Sequence, residues 1–161
     1  MQGAFSVRAR RYLTSGEENW LRTLFGNSVD YNKVRLKKGL LLTARGSAVT
    51  INNTISFSID SYYEDFSLSE SIGPLGLLAH ELTHVWQYQN QVRGYWWMKA
   101  ALEHVRHGRY VYEYKLDRRK SLEEYRFEQQ AQIVQDYVYA KDIADLREPI
   151  FEEIIYNSIK L

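Results

Sequence analysis

The sequence has no cysteine, and this absence excludes disulfide bonds and thiolate metal sites. It also has no excess of charge of either sign, since 21 Lys and Arg residues stand against 20 Asp and Glu residues. Domains that bind nucleic acid usually carry a clear basic excess, so this balance argues against nucleic acid as a partner. We expect the short basic cluster DRRK, residues 117–120, to be a solvated loop.

Long hydrophobic runs are absent as well. No apolar run approaches the ~20 residues that cross a bilayer, and the start MQGAFSVRARRYL lacks the apolar centre of a secretory signal peptide. We therefore expect a protein with no membrane span that is made in the cytoplasm without a cleaved signal peptide. A length of 161 residues, 45% of them hydrophobic, suits a single domain over residues 1–161.

Local patterns predict an α+β domain. The only two prolines, Pro74 and Pro149, each stand at the start of a predicted helix. The stretch AVTINNTISFSID alternates apolar and polar residues on both sides of Asn-Asn, which predicts a β-hairpin. Helices are predicted over residues 14–25, 74–91, 95–107 and 121–140 and from 149 onward, and further short strands over residues 31–39, 40–46 and 110–116. The expected fold is a small, antiparallel-rich sheet with an active-site helix and several further helices.

Residues 77–89, LLAHELTHVWQYQ, carry the strongest chemical signal. His80 and His84 are one helical turn apart, a spacing at which two imidazoles can reach one cation. Glu81 lies about 100° round the helix, where its carboxylate can take a proton from a metal-bound water. The ordinary alternative is a helix whose histidines are solvated or packed in the core. The apolar flanks favour a buried helix, in which polar groups need partners.

A zinc site needs a third protein ligand. The pattern HExxHxxGxxH is incomplete, because Gln87 stands where it has glycine and Asn90 where it has histidine. A carboxylate is the usual replacement, and Glu128 lies at the edge of the apolar stripe of the helix that follows Ser121. Glu124, one turn earlier, is the fallback. Glu128 could instead be a boundary residue that faces solvent or a basic side chain.

Supporting roles are expected from the same helix. Asp136 is the charged candidate for orienting the ligand histidines through their free ring N–H, and Gln132 is a second candidate. Tyr125 and Tyr137 are candidates for stabilising a tetrahedral oxyanion, although such tyrosines are more often packing residues. His104 and His107 have no diagnostic neighbours and are expected at the surface.

Together, LLAHELTHVWQYQ and EYRFEQQAQIVQDY resemble a family of bacterial zinc metallopeptidase-like domains associated with type VI secretion effectors of the VgrG and Rhs types. The pieces RYLTSGEENWLRTLFGNSVDYNKVRL and TINNTISF look like the family's N-terminal part. The resemblance implies a gluzincin-like zincin fold in which His80, His84 and Glu128 hold one Zn²⁺ and Glu81 is the base. Many gluzincins have Asp four residues after the ligand Glu, where this chain has Gln132.

These features lead us to expect a zinc metallopeptidase of the type VI effector or toxin class. Its expected partners are a peptide or protein substrate, a VgrG-type spike and a cognate immunity protein. If it is exported, it would reach the periplasm of a target cell. We also expect the strand at residues 54–59 to be a sheet edge to which an extended substrate adds. The alternatives are a non-catalytic zincin-like binding or delivery module and an intracellular housekeeping metalloprotease.

Overall fold

A computed structural model describes residues 10–39, 48–91 and 108–159 of the chain. The N-terminal part comprises strand β1 (Arg10–Arg11), helix α1 (Ser15–Phe25) and strand β2 (Arg35–Lys38). Helix α1 begins with a capping box, in which the Thr14 hydroxyl accepts from the Glu17 N–H and the Glu17 carboxylate accepts from the Thr14 N–H. This confirms the helix predicted over residues 14–25.

The sheet contains the predicted hairpin, formed by β3 (Ala48–Ile51) and β4 (Thr54–Phe57). Asn52 adopts a φ of 55°, which asparagine tolerates and a two-residue hairpin turn requires. The strand order is β1-β2-β4-β3, and β2 pairs with β4 in parallel while the other pairs are antiparallel. The sheet is therefore mixed.

The prediction that the strand at residues 54–59 is a sheet edge is wrong. Strand β4 is bonded to β2 on one side and to β3 on the other, so among the described residues β3 is the edge on this side of the sheet. The pairing of β2 with β4 joins distant parts of the chain, which a local alternation pattern cannot reveal. The strand predicted at residues 40–46 lies outside the described residues.

Helix α2 (Ile72–Asn90) confirms the helix predicted over residues 74–91, with Pro74 in its first turn. Its apolar side chains Leu78, Leu82, Val85 and Trp86 are buried in the core, as their spacing predicts. The helix predicted over residues 95–107, with His104 and His107, lies outside the described residues.

The C-terminal part differs from the prediction in two places. The Ser121 capping box opens only a 3₁₀ turn, Leu122–Glu124, because Tyr125 and Arg126 are extended and delay helix α3 (Phe127–Asp142). The strand predicted at residues 110–116 is also wrong, since a 3₁₀ turn, Gly108–Tyr112, is followed by an irregular segment. Helix α4 (Glu148–Tyr156) has Pro149 as its second residue, which confirms the helix predicted from Pro149 onward.

The elements pack as an α+β fold, as predicted. Helix α2 packs against α3 and also contacts β3, and α4 covers another part of α3. The core lies among these elements and includes Leu21, Phe57, Leu82, Ile133 and Phe151. This arrangement brings one side of α2 against the start of α3 and beside the sheet edge. No helix in the described ranges is long and apolar enough to cross a membrane.

Candidate metal centre

Three side chains from two helices converge in a buried cluster, which we call the triad: His80, His84 and Glu128. The histidines lie one turn apart on α2, and Glu128 lies in the first turn of α3. The Oε2 atom of Glu128 is 3.6 Å from Nε2 of His80 and 3.5 Å from Nε2 of His84. One ligand atom from each residue lies within 4.8 Å of the other two. The carboxylate that the sequence singled out therefore lies beside both histidines.

The separations in the triad suit a shared cation better than direct pairing. Charge-assisted N–H···O⁻ bonds are typically about 2.7–2.9 Å long, and both separations in the triad exceed that range. Two ligands of a tetrahedral zinc ion at about 2.0–2.1 Å lie about 3.3 Å apart. The donor set of two imidazoles and one carboxylate is also that of catalytic zinc sites, which keep a fourth position open. The residues present therefore fit a zinc ion.

Electrostatics in the metal-free triad favour a proton on His84. Burial lowers the pKa of the His84 ring, but the adjacent Glu128 carboxylate outweighs burial and raises that pKa to about 9. Burial raises the pKa of Glu128, but the two histidines outweigh it and hold the pKa of this carboxyl well below its usual range. A positive charge beside Glu128 is thus favoured, and either a proton or a metal ion can supply it.

Gln87 orients His84, a role that we assigned to Asp136 or Gln132 from the sequence. The side-chain oxygen Oε1 of Gln87 lies 2.9 Å from Nδ1 of His84. A proton on Nδ1 donates to this oxygen and leaves the lone pair of Nε2 directed at the triad. The Gln87 side-chain amide in turn donates to the Phe127 carbonyl and to Gln130 Oε1, which ties α2 to the start of α3.

The signal for Gln87 was present in the sequence, because Gln87 lies three residues after His84 on the same face of a helix with apolar flanks. The pattern HExxHxxGxxH marks position 87 only as the place of its glycine. No described residue plays the same part for His80, whose buried Nδ1 has no hydrogen-bond partner in those ranges.

Glu81 is buried next to the triad and is held by the edge strand. The Thr50 hydroxyl lies 2.6 Å from Glu81 Oε2 and donates to it. Thr50 is itself buried on β3, opposite Ile55 of β4. The sequence did not reveal this contact, because nothing local to β3 indicates which helix its buried face meets. The hydroxyl occupies one carboxylate oxygen of Glu81.

The structure does not bring Asp136 and Gln132 to the histidines. Asp136 accepts hydrogen bonds from the Tyr114 hydroxyl and, at 2.8 Å, from the Gln132 side-chain amide. Both residues line a groove beside the segment that precedes α3. The fallback ligand Glu124 also lies elsewhere, exposed and accepting a hydrogen bond from the Ser121 N–H.

The tyrosines proposed for the oxyanion are engaged away from the triad. The Tyr137 hydroxyl donates to Glu152 at 3.4 Å, and the Tyr125 hydroxyl accepts from the Asp117 N–H at 2.9 Å. The ring that faces the triad belongs to Tyr112, with its centroid 6.3 Å from that of His80. Partial burial and the charges of Glu128 and Glu81 raise the pKa of Tyr112 to about 12, which keeps its hydroxyl protonated.

Comparisons with known proteins identify relatives of this chain. The family model for the eCIS core domain matches residues 20–92, a range that includes both histidines but not Glu128. The type VI secretion system spike protein VgrG2b of Pseudomonas aeruginosa is 34% identical over 145 residues. That match covers 87% of this chain, and the chain spans only 14% of the length of VgrG2b.

A solved structure covers nearly the whole chain. The effector domain of Pseudomonas aeruginosa VgrG2b superimposes with a TM-score of 0.77 at 32% sequence identity. The match covers 94% of this chain and 84% of that structure. With its buried triad that could hold a metal, the chain is therefore homologous to the effector domain of VgrG2b and belongs to the family of VgrG2b-like type VI effector domains.

Proposed function

We propose that this chain is a zinc-dependent peptidase in which His80, His84 and Glu128 hold one Zn²⁺. The observation that carries the proposal is the spacing of Glu128 Oε2 from the two Nε2 atoms, 3.5 and 3.6 Å, in a buried site with Glu81 alongside. A structural metal site needs no additional buried carboxylate beside its ligands. Glu81 therefore supports a hydrolytic role over a purely binding one.

Glu81 is the proposed general base. Zinc, when bound, lowers the pKa of a coordinated water and polarises a carbonyl group. The Thr50 hydroxyl engages Oε2 of Glu81, so Oε1 is the atom that takes a proton from the attacking water. The same carboxylic acid then gives the proton to the departing amine nitrogen.

Tyr112 is the proposed oxyanion donor, the role first considered for Tyr125 and Tyr137. Its ring lies beside His80, and its hydroxyl is protonated at neutral pH. A phenol donates a hydrogen bond that strengthens as charge develops on the carbonyl oxygen. Strand β3 would pair with an extended substrate, since it is an edge of the sheet among the described residues and holds Glu81 through Thr50.

The biological setting is a further part of the proposal. We propose that the domain is delivered as a toxin through type VI secretion, on or with a VgrG-type spike, and cleaves a peptide or protein in the periplasm of a target cell. A cognate immunity protein would protect the producing cell. The homology to a VgrG2b effector domain supports this setting.

The test is the variant Glu81→Gln, whose amide keeps an oxygen for the Thr50 hydroxyl but is not basic. We expect it to fold and to retain zinc, measured by mass spectrometry. Its hydrolysis of labelled denatured casein should fall by at least about 10²-fold, the usual contribution of a general base. Full activity of Glu81→Gln would contradict the mechanism. Tyr112→Phe should retain zinc and lower kcat more than it raises KM.

A further inference from the structure

A groove begins beside the triad and runs away from it. Its first part is a cavity of about 780 Å³ lined by residues that include Tyr112, Tyr114, Gln132, Asp136 and Ile150. A second cavity of about 540 Å³ continues it, because Lys115 and Leu116 line both. Tyr112 connects this groove to the triad, since its ring faces His80. The proposed reaction centre and the groove therefore border each other at Tyr112.

The wall of the groove, residues 112–117, is fixed to the helix that carries Glu128 even though it forms no regular strand. The Gln129 side-chain amide donates to the Glu113 carbonyl at 2.6 Å. The Tyr114 hydroxyl donates to Asp136, and the Tyr125 hydroxyl accepts from the Asp117 N–H at 2.9 Å. These three anchors all come from residues 125–136, so the groove has a defined position relative to the triad.

The far end of the groove is positively charged. Its lining contains Lys115, Arg118, Arg119 and Lys120 and a single acidic residue, Asp117. Arg119 and Asp117 form an ion pair of 2.7 Å and offset each other's charge. Lys115, Arg118 and Lys120 are exposed and form no close ion pair in the described ranges, although Lys120 lies near Asp117 and 5.4 Å from the centroid of the Tyr125 ring. Three cations are thus left to meet a negative ligand, and we call them the cationic end.

We propose that this groove binds the substrate polypeptide of the peptidase and that the cationic end selects substrates with Asp or Glu near the cleaved bond. The inference rests on the proposed function, because it identifies the ligand through Tyr112, which borders both the groove and the triad. Acidic side chains are the polypeptide groups that complement these three exposed cations. The apolar lining at Tyr112, Leu116 and Ile150 suits the intervening side chains.

The length of the groove limits how far the acidic residues of the substrate can lie from the cleaved bond. The seven residues from 112 to 118 are joined by six steps, which span at most about 20 Å in an extended chain. An extended substrate covers the same distance with about six residues. The acidic side chains should therefore lie within about six residues of the cleaved bond, and all on the same side of it.

Binding to the zinc-loaded Glu81→Gln protein tests this proposal without requiring turnover. The probes are two fluorescein-labelled octapeptides that differ only in having Glu or Gln at their charged positions, measured by fluorescence anisotropy. We expect the Glu peptide to bind on the order of tenfold more tightly, since each exposed ion pair contributes modestly. The triple variant Lys115→Gln, Arg118→Gln, Lys120→Gln should abolish this preference, as should high salt.

The matched control neutralises Arg10, Lys37 and Lys38, which lie on β1 and β2 across the sheet from β3. This control variant should still bind the Glu peptide more tightly than the Gln peptide. Three results would overturn the proposal. The two peptides could bind equally, or the variant that neutralises Lys115, Arg118 and Lys120 could keep the preference for the Glu peptide. The cationic end could also bind anionic vesicles in place of the Glu peptide.

Cleavage mapping separates this proposal from the proposed function. Wild-type protein acting on a digest of bacterial proteins should cut peptides enriched severalfold in Asp and Glu on one side of the bond. Cleavage without that enrichment would overturn the proposed acidic preference but would not contradict the proposed peptidase activity. If the protein prefers the Glu peptide but cleaves no substrate, the proposed peptidase activity is wrong and the proposed binding of acidic peptides in the groove is retained.

Discussion

At the scale of residues, Gln87 is the side chain that connects the two halves of the candidate metal centre. It accepts from His84 and donates to the Phe127 carbonyl next to Glu128. Partners of this kind fix the tautomer and the direction of a ligand histidine. Loss of the Gln87 oxygen should therefore weaken metal binding although Gln87 touches no metal.

We predict that Gln87→Met lowers zinc affinity about 10–100-fold, measured by competition with a fluorescent chelator. Gln87→Glu retains an oxygen that accepts from His84 and should bind zinc more tightly than Gln87→Met. The control is Gln89→Met, because Gln89 bonds to Asp30 and Asn53 instead of the triad. Equal zinc affinities for wild type and Gln87→Met would refute the orienting role.

The His84 pKa of about 9 predicts that zinc binding releases a proton. Below that pH the metal-free ring is protonated, and zinc requires its neutral form. Apparent zinc affinity should therefore rise about tenfold per pH unit between pH 6 and pH 7. Calorimetry at pH 6.5 in buffers of different ionisation enthalpy should report about one proton released per ion. No proton release and a flat pH profile would show that His84 is neutral before the metal arrives.

The site residues show which information a sequence carries about a metal centre. His80, Glu81 and His84 were recognisable from helical spacing alone, and Glu128 from its place at the edge of an apolar stripe. Thr50 and Tyr112 were missed, because their positions beside the site depend on how β3 and the segment before α3 pack on α2. The orienting role of Gln87 was missed although its spacing indicated it.

At the scale of elements, the approach of α2 to α3 decides whether the triad can form. Gly76 permits this approach, since a Cβ atom there would lie 2.4 Å from Cε1 of Tyr139 on α3. Gly73, one turn earlier, has nothing within 4 Å of its Cβ position. The two glycines of α2 therefore form a matched pair for testing the helix contact.

We predict that Gly76→Ala is less stable than Gly73→Ala by about 1–3 kcal/mol in urea unfolding, the usual cost of overpacking. Gly73→Ala should change stability by less than about 1 kcal/mol in either direction, because the helix preference of alanine is offset by the restriction on a residue that precedes Pro74. Gly76→Ala should also bind zinc more weakly, since it separates the histidines from Glu128. Equal stability of the two variants would mean that the contact with Tyr139 does not limit the approach.

Helices were predictable from the sequence where one face of the helix is continuously apolar. Helices α1, α2 and α4 were found because their periodicity and capping residues are local. The alternation at residues 110–116 predicted a strand. The structure instead has an irregular segment, which is held in place by hydrogen bonds to side chains of α3 and of the residues that precede α3. The start of α3 was misplaced because Tyr125 and Arg126 are extended.

At the scale of the whole molecule, the α+β class followed from the order of elements, but the sheet order did not. The parallel pairing of β2 with β4 makes β3 the edge beside α2 and places Thr50 against Glu81. The fold thus assembles ligands from two helices, a base held by a sheet edge, and a groove from the irregular segment before α3. No one of these elements contains the whole site.

The most direct test of the central claim is the metal content of protein purified without added zinc, measured by mass spectrometry for wild type, Glu128→Ala and Glu124→Ala. Glu124 is the matched control, an exposed carboxylate four residues away. We predict about one zinc ion per chain in wild type and in Glu124→Ala, and its loss in folded Glu128→Ala. Unchanged zinc in Glu128→Ala, or no zinc in wild type, would contradict the account.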